Sequence, residues 1–96
     1  MQKVTLLFKC QPGKGQELLA ALTAALVDTR AYDGCISVDT YVDADNPDVV
    51  MLFEEWESRA QNERYMGWRM ETGLVDMLTP ILGAPLEIYY FEPHPA

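Results

Sequence analysis

Apolar residues recur along this chain with two different periods, and each change of period marks off an element. Val4-Thr5-Leu6-Leu7-Phe8-Lys9-Cys10 is a short apolar run closed by Pro12-Gly13, and it predicts a first strand. From about Gly15 to Ala31, Leu18, Leu22, Ala25, Leu26 and Thr29 fall at the spacing of one helical face, and Asp33-Gly34 supplies the stop. Ile36, Val38, Thr40 and Val42 then alternate with Ser37, Asp39 and Tyr41, the period-two signature of a second strand. The turn cluster Asp43-Ala44-Asp45-Asn46-Pro47 predicts a hairpin to a third strand, whose run Val49–Phe53 is apolar throughout. Ser58, with Gln61 three residues on, is a capping-box start for a second helical region, expected to divide at Gly67 and Gly73. The later part of that region, Leu74 to Leu82, carries Leu74, Leu78 and Leu82 (or Ile81) on one stripe. After Gly83-Ala84-Pro85, the run Leu86-Glu87-Ile88-Tyr89-Tyr90-Phe91 reads as the last strand.

The resulting order, βαββαβ, predicts an α+β, ferredoxin-like fold. Right-handed crossovers close it into a four-stranded antiparallel sheet with both helices on one face. The other face is then bare, and Val38, Thr40, Val42, Met51 and Phe53 are its expected occupants. So wide an apolar patch would aggregate if left exposed, so a second copy of the chain is expected to cover it. No repeat or linker interrupts residues 1–96, which read as a single domain.

Charge narrows the partners. The formal net charge is −8, and the lysines and arginines are scattered singly. Nothing here could replace phosphate counterions, so nucleic acid and anionic membrane surfaces are excluded as partners. No signal-like segment opens the chain and no apolar run approaches a membrane span, which sets a cytoplasmic expectation. Cys10 and Cys35 have neither C-x-x-C nor zinc-ligand spacing and read as small buried hydrophobes. His94 lies between Pro93 and Pro95 in the tail, so no ligand cluster and no metal are expected.

The candidate chemistry sits at the junction Val49 to Arg59. Alternation places Leu52, Glu54 and Trp56 on one face of the third strand and Met51, Phe53 and Glu55 on the other. A carboxylate and an indole thus emerge together at a strand end. The helix opened by Ser58 folds back over that face and brings Tyr65 and Trp68 with it. A mostly apolar cavity is expected there, with Trp56 on its wall and Glu54 as the nearest carboxylate.

These motifs, taken in order, resemble the antibiotic-biosynthesis monooxygenase family of dimeric α+β barrels. The resemblance is carried by Pro12-Gly13-Lys14 before a long Leu/Ala helix, Asp33-Gly34-Cys35 before the second strand, and the loop ending in Asn46-Pro47. Above all it is carried by Glu54-Glu55-Trp56-Glu57-Ser58, and it runs from Val4 to Phe91. It implies that the sheets of two chains pack into a barrel. It also implies an activity drawn from a mixed set: cofactor-free oxygenation of anthrones and quinols, haem degradation, or processing of small signalling molecules. Typical members carry a histidine nine residues after the motif tryptophan and another five residues later; here those positions hold Tyr65 and Met70. With Tyr65 at the first position and Val75 near the second, a helix histidine is not available as a haem ligand, and the haem-degrading branch is disfavoured.

The activity that the resemblance favours is cofactor-independent monooxygenation of an aromatic polyketide or quinol. Two readings compete with it: non-catalytic binding of a hydrophobic small molecule (or a stress-related dimer), and an oxygen-independent isomerase or lyase of the same superfamily. For oxygenation the protein needs an apolar slot, a proton acceptor and a group that holds a developing oxyanion. Tyr41, Leu52, Trp56, Tyr65 and Trp68 are the candidate lining, Glu54 the proton acceptor and Arg69 the anion-stabilising cation. Desolvation beside Trp56 would raise the Glu54 pKa toward a range useful for proton transfer. Each has a plainer structural alternative: Trp56 as core, Glu54 paired with an arginine or backbone donor, Tyr65 and Trp68 as helix packing, and Arg69 in a surface ion pair.

Overall fold

The computed structural model describes residues 1–96. Its elements are β1 (Gln2–Lys9), α1 (Gly15–Ala31), β2 (Cys35–Val42), β3 (Val49–Trp56), α2 (Arg59–Glu71), α3 (Leu74–Leu78) and β4 (Glu87–Phe91). The four strands form one antiparallel sheet in the order β2-β3-β1-β4, the ferredoxin-like arrangement.

The burial of β3 alternates residue by residue: Val50, Leu52, Glu54 and Trp56 are buried, and Val49, Met51, Phe53 and Glu55 are half-buried. The buried set faces the helices. It meets Val4, Leu6 and Phe8 of β1 and Leu18, Leu22 and Leu26 of α1, so the core is a single layer between sheet and helices.

Register corrects one expectation. Val38, Thr40 and Val42 pair with Glu54, Leu52 and Val50, which places them on the helix-facing side rather than on the bare face. A bulge between Cys35 and Ser37 resets the alternation of β2. Val38 is buried there, while Thr40 and Val42 extend past the helices into solvent. The bare face is formed by Thr5, Leu7, Met51, Phe53, Tyr41, Tyr89 and Phe91. Lys3–Glu55 (2.9 Å) and Lys9–Glu87 (3.0 Å) form ion pairs across it.

The helices differ from expectation in two places. Gly67 does not divide the second helical region, because it lies on the exposed side of α2 and the helix runs through it. Gly73, with φ +106, does divide it. The stretch expected as a helix to Leu82 stops at Leu78, since Pro80 has no N–H to continue the ladder. Leu78 and Ile81 still reach the core.

The start of α1 is held by a distant residue. Lys14 at its N-cap makes no side-chain cap, and the Asp48 carboxylate accepts instead from Gly13 N–H (3.0 Å) and Gly15 N–H (2.9 Å). The hairpin loop before β3 is thereby tied to the helix that covers the sheet.

Candidate functional site

Between α1, α2 and the inner sheet face lies a cavity of about 390 Å³. Its apolar walls include Leu6, Phe8, Leu22, Leu26 and Leu52, and its polar groups include Glu54, Thr29, Tyr65 and Arg69. The size and the ratio of apolar wall to few polar groups are those of a small-molecule site.

Glu54 reaches this cavity because β3 points it inward, between Leu52 and Trp56. It is 2 % exposed, and its Oε1 accepts a 2.8 Å hydrogen bond from Trp56 Nε1. No cation pairs with it. Burial raises its pKa above the ordinary carboxylate value, and the indole N–H offsets part of that rise. The result is a desolvated carboxylate held at one oxygen and facing a cavity.

Tyr65 and Arg69, one turn apart on α2, supply the other polar group of the site. Arg69 Nε donates to Tyr65 Oη at 2.7 Å, and its terminal nitrogen donates to Ala25 O at 2.7 Å and Thr29 Oγ1 at 3.1 Å. Thr29 Oγ1 and Tyr65 Oη are 2.5 Å apart. Three polar groups from α1 and α2 thus hold one guanidinium in place, and no carboxylate neutralises it. Arg69 is half-buried rather than a surface ion-pair residue.

Three of the sequence-derived lining residues lie elsewhere. Tyr41 pairs with Met51 on the bare sheet face, exposed and on the far side of the sheet from the cavity. Its register opposite Met51, continuous with the hairpin pair Val42 and Val50, is what turns it away. Trp56 is fully buried and forms no part of the cavity wall; it stands behind Glu54, against Tyr32 (6.3 Å between ring centroids) and Tyr65 (5.1 Å). Trp68 stacks on Tyr32 at 5.5 Å, with the Arg69 guanidinium 4.8 Å from its ring, and likewise does not line the cavity. Leu52, Glu54, Tyr65 and Arg69 are brought together as expected.

The structure adds residues that sequence reasoning missed as site residues. Thr29 was visible as the one hydroxyl in an apolar helical stripe. Tyr32, which caps α1 and anchors the aromatic cluster, carried no signal of its own. Asp28 also lines the cavity, from the exposed side of α1. No group of His, Cys, Asp and Glu is placed to hold a metal ion, and no helix is long and apolar enough to cross a membrane. Cys10 and Cys35 are free and half-buried, and burial raises both thiol pKa values.

Comparison with known proteins places this fold among relatives. The sequence model of the family described as Antibiotic biosynthesis monooxygenase matches residues 1–68. The Putative monooxygenase Rv0793 of Mycobacterium tuberculosis is 40% identical over 60 residues, which cover 62% of this chain. Those residues span 58% of that protein's length. The structure of Rv0793 superposes with a TM-score of 0.83 at 28% identity, covering 99% of this chain and 96% of that one. A monooxygenase from the ActVA-Orf6 gene of Streptomyces coelicolor, solved in complex with Nanaomycin D, shares the fold. Its TM-score is 0.79 at 20% identity, covering 99% of this chain and 88% of that one.

Proposed function

Because the chain belongs to the antibiotic biosynthesis monooxygenase family, we propose that it is a cofactor-independent monooxygenase of a phenolic or quinol-type aromatic, working as a homodimer. The observation that carries this reading is the cavity that holds both an unpaired, desolvated carboxylate, Glu54, and an arginine without a carboxylate partner, Arg69.

The aromatic lies between the leucine walls, and Glu54 takes its phenolic proton through the oxygen that Trp56 leaves free. Burial makes the carboxylate a stronger base than one in water. Arg69, fixed by Tyr65, Thr29 and Ala25, holds the phenolate oxygen as charge develops on it. The anion passes one electron to dioxygen, and the substrate radical and superoxide combine to form a carbon–oxygen bond. The hydroperoxide then loses water, using the proton held on Glu54, and leaves a new carbonyl. One oxygen atom enters the product and the other leaves as water. All four electrons come from the substrate, so the chain itself needs only to bind, deprotonate and exclude bulk water.

The homodimer is supported by the bare sheet face, where Leu7, Met51, Phe53, Tyr89 and Phe91 form an apolar surface crossed by two ion pairs. The enzymatic reading is tested by oxygen uptake with a panel of anthrones and hydroquinones, using protein freed of metal by chelation. Uptake tied to substrate loss supports it. Isomerisation or proton exchange without oxygen would assign the site to an isomerase or lyase, and binding without turnover would assign it to a carrier.

A further inference from the structure

A second cavity, of about 430 Å³, opens between α2, α3 and β4. Met66 and Leu74 line both this cavity and the first, so the two meet at those side chains. Their chemistry differs sharply. The first holds Glu54, Tyr65, Thr29 and Arg69, whereas the polar side chain of the second is Thr79, whose hydroxyl is already bonded to Val75 O at 2.7 Å. It therefore has no side-chain hydrogen-bond donor left to offer a ligand, and with eight of its nine lining residues apolar it suits a hydrocarbon chain.

We propose that the second cavity is a tail subsite: the ligand is an amphiphile whose phenolic head sits by Glu54 and Arg69 and whose alkyl tail passes between Met66 and Leu74. The proposal rests on the first cavity being the site of the head group. The boundary is suited to such passage. Met66 is unbranched and repacks at low cost, and Leu74 opens a helix of five residues that follows Gly73 in the left-handed region. Neither side chain is fully buried, so each has room to turn aside. Val75, Met70 and Ile88 leave apolar surface exposed along the groove, surface that a tail would cover.

The test is a chain-length series of monoalkyl hydroquinones, from methyl to heptyl, titrated anaerobically against tryptophan fluorescence so that oxidation does not intervene. Each methylene that reaches the second cavity should tighten binding by about two- to fourfold. Val75→Trp, which fills the groove from its exposed side, should flatten that dependence while the methyl member binds as before. Thr79→Trp, on the groove's other side, should do the same and serves where the first variant melts early. Affinity independent of chain length, or a chain-length dependence unmoved by both substitutions, overturns the tail subsite. In that case methyl hydroquinone still bound and oxidised leaves the oxygenase reading intact. Conversely, a steep dependence without oxygen uptake keeps the subsite and rejects the oxygenase. Failure of every member to bind overturns the tail subsite, and the absence of uptake with the anthrones as well would reject the oxygenase.

Discussion

Burial pushes the Glu54 carboxyl above its ordinary range because its charged form loses water, and the single N–H of Trp56 restores only part of that loss. A carboxyl whose folded pKa is raised stabilises the fold fully below its unfolded pKa of about 4.3, and that contribution is lost as pH rises through the folded value. Glu54→Gln keeps an oxygen for the indole and removes the buried charge. The variant should therefore melt higher than wild type at neutral pH, and calorimetry should show the gap closing as the pH falls toward about 4. Activity should follow the opposite course, rising with pH as Glu54 ionises, with a rising limb above the normal carboxylate range. Trp56→Phe removes the donor that lowers this pKa, so the rising limb should move to higher pH, with a stability cost of about 1–3 kcal/mol. Both residues were legible in the sequence because period-two alternation puts them on one strand face. Their division of labour was not. Alternation gives direction but not depth, and Trp56 turned out to lie behind the carboxylate rather than on the cavity wall.

At the scale of elements, α1 depends on Asp48 for its first turn, since its own N-cap residue provides no side-chain acceptor. Asp48→Ala leaves two N–H groups and the positive end of the helix without their carboxylate and should cost about 1–2 kcal/mol in chemical denaturation. Gly15→Ala should cost more, because a Cβ there would lie 2.1 Å from Pro47 O, a backbone atom that cannot step aside. The sequence revealed the helix and the Asn46-Pro47 turn separately, but not that the loop caps the helix, a contact between residues 33 apart in the chain. The start of α2 was fully legible because its cap is local: Gln61 N–H donates to Ser58 Oγ at 3.2 Å. The end of the helical region was not, because an apolar stripe continues through Leu78 and Ile81 even where Pro80 has ended the helix.

For the whole molecule, the order and spacing of strands and helices were readable because each change of hydrophobic period coincides with a turn signal. Which residues occupy the bare face was only half readable, since alternation within β2 does not say which of its faces joins which face of β3, and the register that decides it, Val42 opposite Val50, is set across the hairpin. Met51 and Phe53 do lie on that face, each half-buried within the single chain. Light scattering at micromolar concentration should give a dimer, and Phe53→Asp should give monomer or aggregate; a stable wild-type monomer would reject the paired-sheet assembly. The oxygenase account as a whole depends on one carboxylate in one cavity. Its most direct test is an oxygen-electrode comparison of wild type and Glu54→Gln, on a hydroquinone or anthrone that both proteins bind within a few-fold of each other. The account predicts one dioxygen consumed per substrate by the wild type and none above background by the variant. Undiminished uptake in the variant would contradict it and move the base to the substrate or to a water.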